Sequence, residues 1–191
     1  VGIDITPENP ERTRKHLGFY GYTPQVITGD AENLPFKTES FEILFSVGVL
    51  HHTPDIKKSF LEAFRVLKGG GEFWIVVYHK NSIFYRIHLF LFNHVFQLGF
   101  LKRSLKERLS MIEFTTSNVR PLVNVYTRTS LRKLLTQAGF TIESLYIRRL
   151  KAEEFPPIPL IWKMWRFIPQ RWLDIIGKAF GWYLIAKAKK L

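Results

Sequence analysis

Residues 41–78 read as strand, turn, helix, glycine run and strand, and no other stretch limits the fold so tightly. Residues 41–45 (FEILF) form an apolar run of strand length. Residues 46–52 follow at its carboxyl end and carry the adjacent pair His51 and His52. Helical spacing governs residues 55–67: Ile56, Phe60, Ala63, Phe64 and Leu67 share one face, and Lys57, Lys58, Glu62 and Arg65 fall elsewhere. Asp55 is placed to cap this helix, and Lys68 to meet its negative end. The run Gly69-Gly70-Gly71 is expected to stop the helix through positive φ. Residues 73–78 form a second apolar run. Strand, helix and strand with short joints make a βαβ unit, whose two strands are parallel.

The flanking sequence extends the pattern. Residues 1–5 read as a strand, residues 6–10 (TPENP) as a turn, residues 11–17 as a helix and residues 25–28 as a strand. The order β, α, β, β, α, β is that of a doubly wound α/β sheet. Beyond it, residues 81–101 suit a long apolar helix with Arg86, Asn93 and Gln97 on one side. Residues 102–108 are basic, and Arg120 and Pro121 lead into a loop. Thr127 can cap a helix over 128–138 that ends at Gly139, and a strand follows over 141–149. Residues 152–159 read as an acidic, proline-rich loop. Residues 160–180 interleave Trp162, Trp165, Trp172 and Phe180 with Lys and Arg, and residues 181–187 close the chain as a strand.

The words GDAENLPF (29–36), SFEILFSVGVLHH (40–52) and FLEAFRVLKGGGEFWI (60–75), in this order and spacing, resemble the class I S-adenosylmethionine-dependent methyltransferases. Within that family they are similar to the small-molecule branch of the quinone pathways. Weaker likeness extends to VGIDIT at 1–6, to 126–140 and to 181–190. The resemblance implies a Rossmann-like, mostly parallel sheet with an antiparallel last strand. It makes residues 1–191 a single domain, with 82–125 and 151–180 as helical lid segments. In the family the strand matching residues 1–5 is the second. The first strand and its GxGxG loop find no match here, and Gly69-Gly70-Gly71 follows a helix and so cannot replace that loop. The chain therefore reads as lacking an amino-terminal segment, with little cofactor affinity or activity of its own. Strands 1–5 and 41–45 are then expected either to pair directly or to leave a gap.

The resemblance also assigns residues. Asp4, with Ile5 beside it, takes the place of the carboxylate that accepts the ribose hydroxyls; by itself Asp4 could equally cap a turn. Asp30 corresponds to the adenine-amino contact and Ala31 to the backbone N–H facing a ring nitrogen; Asp30 also suits an Asx-turn. Glu32 reads as a solvated carboxylate. Ser46, Val47 and Gly48 line the methionine end, where Gly48 permits close backbone approach. His51 and His52 are candidates for a general base, or for capping and packing at the following helix. No metal site is expected, because adjacent histidines on a turn point apart and no carboxylate–histidine spacing completes a ligand set.

Charge is unevenly spread. Residues 1–81 hold 9 Lys and Arg against 10 Asp and Glu, whereas residues 82–191 hold 19 against 6. There are no cysteines, which excludes disulfides, thiol catalysis and cysteine-bound zinc and fits a reducing compartment. The expected function is methyl transfer from S-adenosylmethionine to a small, apolar acceptor in the cytoplasm, with peripheral contact at an anionic membrane. The rival reading is a non-catalytic membrane-surface module on a degenerate methyltransferase fold, supported by aromatic and basic residues interleaved in the second half. Nucleic acid ranks lowest, because the basic residues alternate with large apolar ones instead of forming a polar stripe.

Overall fold

The computed structural model describes residues 1–96, 98, 101, 104–111, 121–156 and 164–191. Chain order begins with β1 (Gly2–Asp4), α1 (Asn9–Gly18) and β2 (Val26–Thr28). β1 and β2 pair in parallel, with Asp4 opposite Thr28, and form a two-stranded sheet of their own. Pro10 sits in the first turn of α1, where its missing N–H costs nothing, and Glu11 pairs with Lys15 one turn on.

The second unit is β3 (Phe41–Val47), α2 (Ile56–Val66) and β4 (Leu67–His79). β3 and β4 are parallel, with Phe45 opposite Trp74, as the βαβ pattern requires. α2 buries Ile56, Ser59, Phe60, Ala63 and Val66. Asp55 caps it by accepting the Lys57 N–H at 3.0 Å. The glycine run acts differently from expectation. The helix ends at Val66, and Leu67 is already extended and opens β4. Gly70 and Gly71 lie inside the strand, paired with Lys190 through Gly70 N–H to Lys190 O and Lys190 N–H to Gly71 O. Glycine is needed there because Gly70 has φ +79° and a Cβ on Gly71 would meet the Lys68 carbonyl at 2.9 Å. Lys68 pairs with Glu42 on β3 and so does not face the helix end alone.

The remaining elements are α3 (Leu105–Ser110), β5 (Val125–Tyr126), α4 (Arg128–Gln137), β6 (Thr141–Arg148), α5 (Gln170–Phe180) and β7 (Tyr183–Lys189). The larger sheet runs β3-β4-β7-β6, with β5 paired to the carboxyl end of β4. β7 is antiparallel to both neighbours, as the resemblance implied. Thr127 caps α4 in a reciprocal box with Ser130, and Gly139 stops it. Phe60 and Ala63 of α2, Leu131 and Leu135 of α4, and Phe73, Ile75, Leu184 and Ala186 of the sheet form the main core. On the other face Ile43, Phe45 and Val47 remain exposed, and Lys187 bridges Glu72 and Glu143 above Trp74.

β1 and β3 share no ladder among the described residues, so a gap separates the two sheets at this point. Side chains tie the two units together. The Leu34 N–H donates to Glu62 at 2.8 Å, and the Arg65 guanidinium holds Glu62 together with the carbonyls of Leu34 and Phe36. The loop after β2 is thereby clamped to α2.

Above the carboxyl ends of the strands, residues Phe84–Phe96 form a wide helix with π-type winding. That winding displaces residues from the 3.6-residue wheel on which Arg86, Asn93 and Gln97 were aligned; Gln97 lies outside the described residues. Leu89 of this helix, Leu109 of α3, Val123 and Trp182 form a second, smaller core. Residues 102, 103, 120 and 157–163, which carry part of the expected basic patch, loop and aromatic segment, also lie outside the described residues.

Candidate active site

In an open α/β sheet, ligands bind beyond the carboxyl ends of the parallel strands. The turns after β1, β2 and β3 end there, and each carries residues singled out from the sequence. After β1, Asp4 accepts the Thr6 N–H through Oδ1 at 2.8 Å, and its carbonyl accepts the Gly29 N–H at 2.9 Å. The turn-capping role is therefore real, and it fixes the carboxylate while leaving Oδ2 for a ligand. Ile5 beside it is exposed. After β2, Asp30 Oδ1 accepts the Glu32 N–H at 2.8 Å, an Asx-turn that likewise leaves one oxygen. Ala31 is half-buried against the main core.

Glu32 is not a solvated carboxylate. Its Oε1 accepts the Asp55 N–H at 2.6 Å and so ties the turn after β2 to the start of α2. No spacing rule in the sequence reaches across those 23 residues. The Glu62–Arg65 clamp had a visible signal, an i,i+3 pair, but not its reach to residues 34 and 36.

At the end of β3, the Ser46 hydroxyl is buried and has no hydrogen-bond partner among the described residues. Val47 is exposed, and Gly48 takes φ +72° while donating to the Val76 carbonyl. A Cβ on Gly48 would meet nothing within 4 Å, so the glycine serves the backbone turn and leaves open space. No hydrogen bond among the described residues joins Asp4 to residues 46–48.

The two histidines separate in character. Both lie in the short 3₁₀ turn Leu50–His52. His51 is fully buried, with its ring centroid 4.0 Å from those of both His52 and Tyr78. Burial, and then the neighbouring His52, push its pKa down to about 3, so it is neutral at physiological pH and weak as a base. His52 is half-buried, and its Nδ1 lies 2.7 Å from the Leu122 carbonyl. A carbonyl only accepts, so Nδ1 carries the proton and Nε2 is the basic nitrogen of the neutral ring. The segment that holds this turn was not recognised from sequence: the Asn124 N–H also donates to the His51 carbonyl, and β5 then pairs with Tyr78 and His79. Tyr78 continues as an aromatic stack onto Trp182, at 4.3 Å.

One further group stands out at this end of the molecule. Glu154, in the turn Ala152–Glu154 after β6, is buried, and its Oε2 has no hydrogen-bond partner among the described residues. Burial pushes its pKa up to about 7. The Arg149 Nε lies 3.9 Å from Oε1, at the outer limit of an ion pair, and only partly offsets the burial.

The site fits S-adenosylmethionine on three observations. Two oriented carboxylates each keep an oxygen for hydroxyl or amine donors. A buried hydroxyl, Ser46, lacks a partner among the described residues at the third strand end. Gly48 leaves open space beside it.

Residues 1–75 match the family model described as a methyltransferase domain. A 69-residue stretch is 38% identical to 2-methyl-6-phytyl-1,4-hydroquinone methyltransferase 1, chloroplastic, of Oryza sativa subsp. japonica, covering 36% of this chain and 20% of that protein. A 73-residue stretch is 45% identical to the phthiotriol/phenolphthiotriol dimycocerosates methyltransferase of Mycobacterium tuberculosis, covering 38% of this chain and 26% of that protein. The matched stretches thus span about a fifth to a quarter of these curated relatives. The fold extends further. A SAM-dependent methyltransferase of Thermotoga maritima, described as a possible histamine N-methyltransferase, superimposes with TM-score 0.61 at 21% identity over 100% of this chain and 73% of that one. A SAM-dependent methyltransferase of Methanosarcina mazei gives TM-score 0.61 at 18% identity over 100% of this chain and 81% of that one.

Proposed function

We propose that this chain supplies the cofactor-side turns of a class I S-adenosylmethionine-dependent methyltransferase that transfers a methyl group to a small acceptor with a large apolar part, of the hydroquinone or lipid-like kind; the methyltransferase-domain match and the shared fold support the reading. The observation that carries this reading is the set of turns after β1, β2 and β3, the one after β2 locked to α2 by the Glu32–Asp55 contact and by the Glu62–Arg65 clamp on Leu34 and Phe36. The relatives named for a phytyl hydroquinone and for phthiotriol dimycocerosates support the acceptor class.

The bound cofactor supplies an electrophilic methyl group on a sulfonium. The protein's work is then alignment and exclusion of water. With the cofactor bound, Asp4, with Ile5 beside it, would accept from the ribose hydroxyls, and Asp30 and the Ala31 N–H would hold the adenine through its amine and a ring nitrogen. Ser46, Val47 and Gly48 border the methionine end. His52 receives the proton of an acceptor hydroxyl through Nε2, and buried, neutral His51 holds the turn by packing its ring at a tilt between His52 and Tyr78. The described parts of 82–125 and 151–180 serve as lid and acceptor wall, the first anchored by the small core of Leu89, Leu109, Val123 and Trp182.

The test is methyl transfer from labelled S-adenosylmethionine to a prenylated hydroquinone, beside a water-soluble phenol of the same ring. Preference for the prenylated acceptor supports the reading. Preference for the soluble phenol, or for a basic amine, contradicts it.

A further inference from the structure

We propose that α5 and the short helix before it form a docking face for an anionic lipid surface, at the outer edge of the sheet beyond the carboxyl end of β6. The inference rests on the acceptor class proposed above only for its purpose; its physical support is independent.

α5 is far more apolar than its packing needs. At about 100° per residue, Trp172, Ile175, Ile176 and Phe180 spread over an arc of roughly 140°. Only Leu173 and Gly177, at one edge of that arc, are buried. Trp172 is 53% exposed, Ile175 58% and Phe180 51%. In the short helix Met164–Phe167 just before α5, Phe167 is 83% exposed and Met164 63%. A contiguous exposed set of large apolar side chains marks an interaction surface. The polar stripe of α5 holds Arg171, Lys178 and Asp174, so cations border the apolar arc. That is the pattern of a helix lying in a membrane interface.

The sheet places this face. Tyr78 pairs with Tyr183, and Tyr183 with Arg148, so the carboxyl ends of β4 and β6 lie at the same end of the sheet. α5 packs across that end: Gln170 Nε2 donates to the Leu150 carbonyl, and a Cβ on Gly177 would meet Leu150 Cβ at 3.2 Å. The exposed arc therefore belongs to the outer edge of the sheet, beyond the carboxyl end of β6 and at the same end as the carboxyl end of β4. No described helix is long and apolar enough to cross a membrane, so the contact is at the surface.

Charge selects the occupant. Residues 82–191 carry 19 Lys and Arg against 6 Asp and Glu. The chain as a whole carries a formal +12, so two copies repel each other, which disfavours a second copy, whereas an anionic bilayer complements this charge, the Arg171 and Lys178 beside the arc, and the apolar arc itself. Nucleic acid would not use the aliphatic residues at the centre of the face.

The experiment is co-sedimentation with vesicles of phosphatidylcholine, with and without phosphatidylglycerol, in the absence of methyl donor. Binding to the anionic vesicles is expected. It should weaken when salt rises from about 0.1 M to about 1 M, and fall about tenfold or more in the Trp172→Ser, Phe180→Ser double variant. Both side chains are exposed, and an unchanged thermal transition confirms that the variant folds. Full binding by the double variant overturns the proposal, as does a lipid-independent dimer in sedimentation velocity that the same variant disperses. Methyl transfer is not read, so failure here leaves the cofactor titration to judge the enzymatic reading separately.

Discussion

Replacing Glu154 by Gln keeps the shape of the side chain and removes its titration, and the structure sets both the sign and the size of the result. The carboxyl group is buried, with Oε2 unpartnered among the described residues, and burial moves its pKa from 4.5 to about 7. The charged groups around it are the Arg149 guanidinium and, on the same turn, Lys151 and Glu153; His88 of the wide helix faces it through the Glu154 carbonyl. A carboxyl group whose folded pKa lies above its unfolded value favours the folded state at acid pH. That contribution is fully present below 4.5 and is lost as the pH rises through about 7. One pKa unit corresponds to about 1.4 kcal/mol, so the native protein should lose up to roughly 3 kcal/mol across this window from this group alone. In a chain of this size that amounts to roughly 6–10 °C in Tm. Differential scanning fluorimetry of both proteins from about pH 4.5 to about pH 8 reads it directly. Glu154→Gln should match the native protein in acid and exceed its Tm at alkaline pH. Parallel curves, with the same slope for both proteins, would refute the buried neutral carboxyl.

Three further outcomes follow from the same contacts. Phe60 is fully buried between α2 and the sheet, 5.8 Å from the Phe73 ring, so Phe60→Ala should cost about 3–5 kcal/mol in urea unfolding; a loss below about 1 kcal/mol would mean that the core lies elsewhere. Arg65→Ala removes the bond to Glu62 and those to the carbonyls of Leu34 and Phe36, and should cost roughly 1–3 kcal/mol while speeding amide exchange in residues 30–36; unchanged exchange would contradict the clamp. His52→Phe should lower turnover on a hydroxyl acceptor about 100-fold or more, whereas His51→Phe, which preserves the stack on Tyr78, should retain most of it; equal losses would undo the division of roles.

The sequence was most informative where one local rule governs an element. The alternation of apolar runs and helical spacing over residues 41–78 yields the parallel βαβ unit, and Thr127 and Gly139 bracket α4 as their chemistry demands. The glycine run misled because a glycine triplet serves two purposes. Here its lack of Cβ lets β4 run close to the Lys68 and Glu42 carbonyls; it does not end a helix. Asp4 and Asp30 were legible as strand-end carboxylates, and their turn-capping bonds agree with that reading. Glu32 was not, because its partner lies across the fold at Asp55. His51 and His52 look equivalent in sequence, and only packing by Tyr78 and the carbonyl of Leu122 separates them. The apolar excess of α5 was visible as interleaved aromatics, but the face it leaves bare depends on which edge Leu150 covers.

Calorimetric titration of S-adenosylmethionine into the protein carrying these residues, and into its Asp4→Ala and Asp30→Ala variants, tests the central claim most directly. Each carboxylate loses a charge-assisted hydrogen bond, about 1.5–3 kcal/mol, so each substitution should weaken binding by about 10- to 150-fold. Glu153→Ala, an acidic residue at the far edge beyond β6, should leave the affinity unchanged. Native affinity in both Asp variants would contradict the assignment of the strand-end turns as the cofactor site.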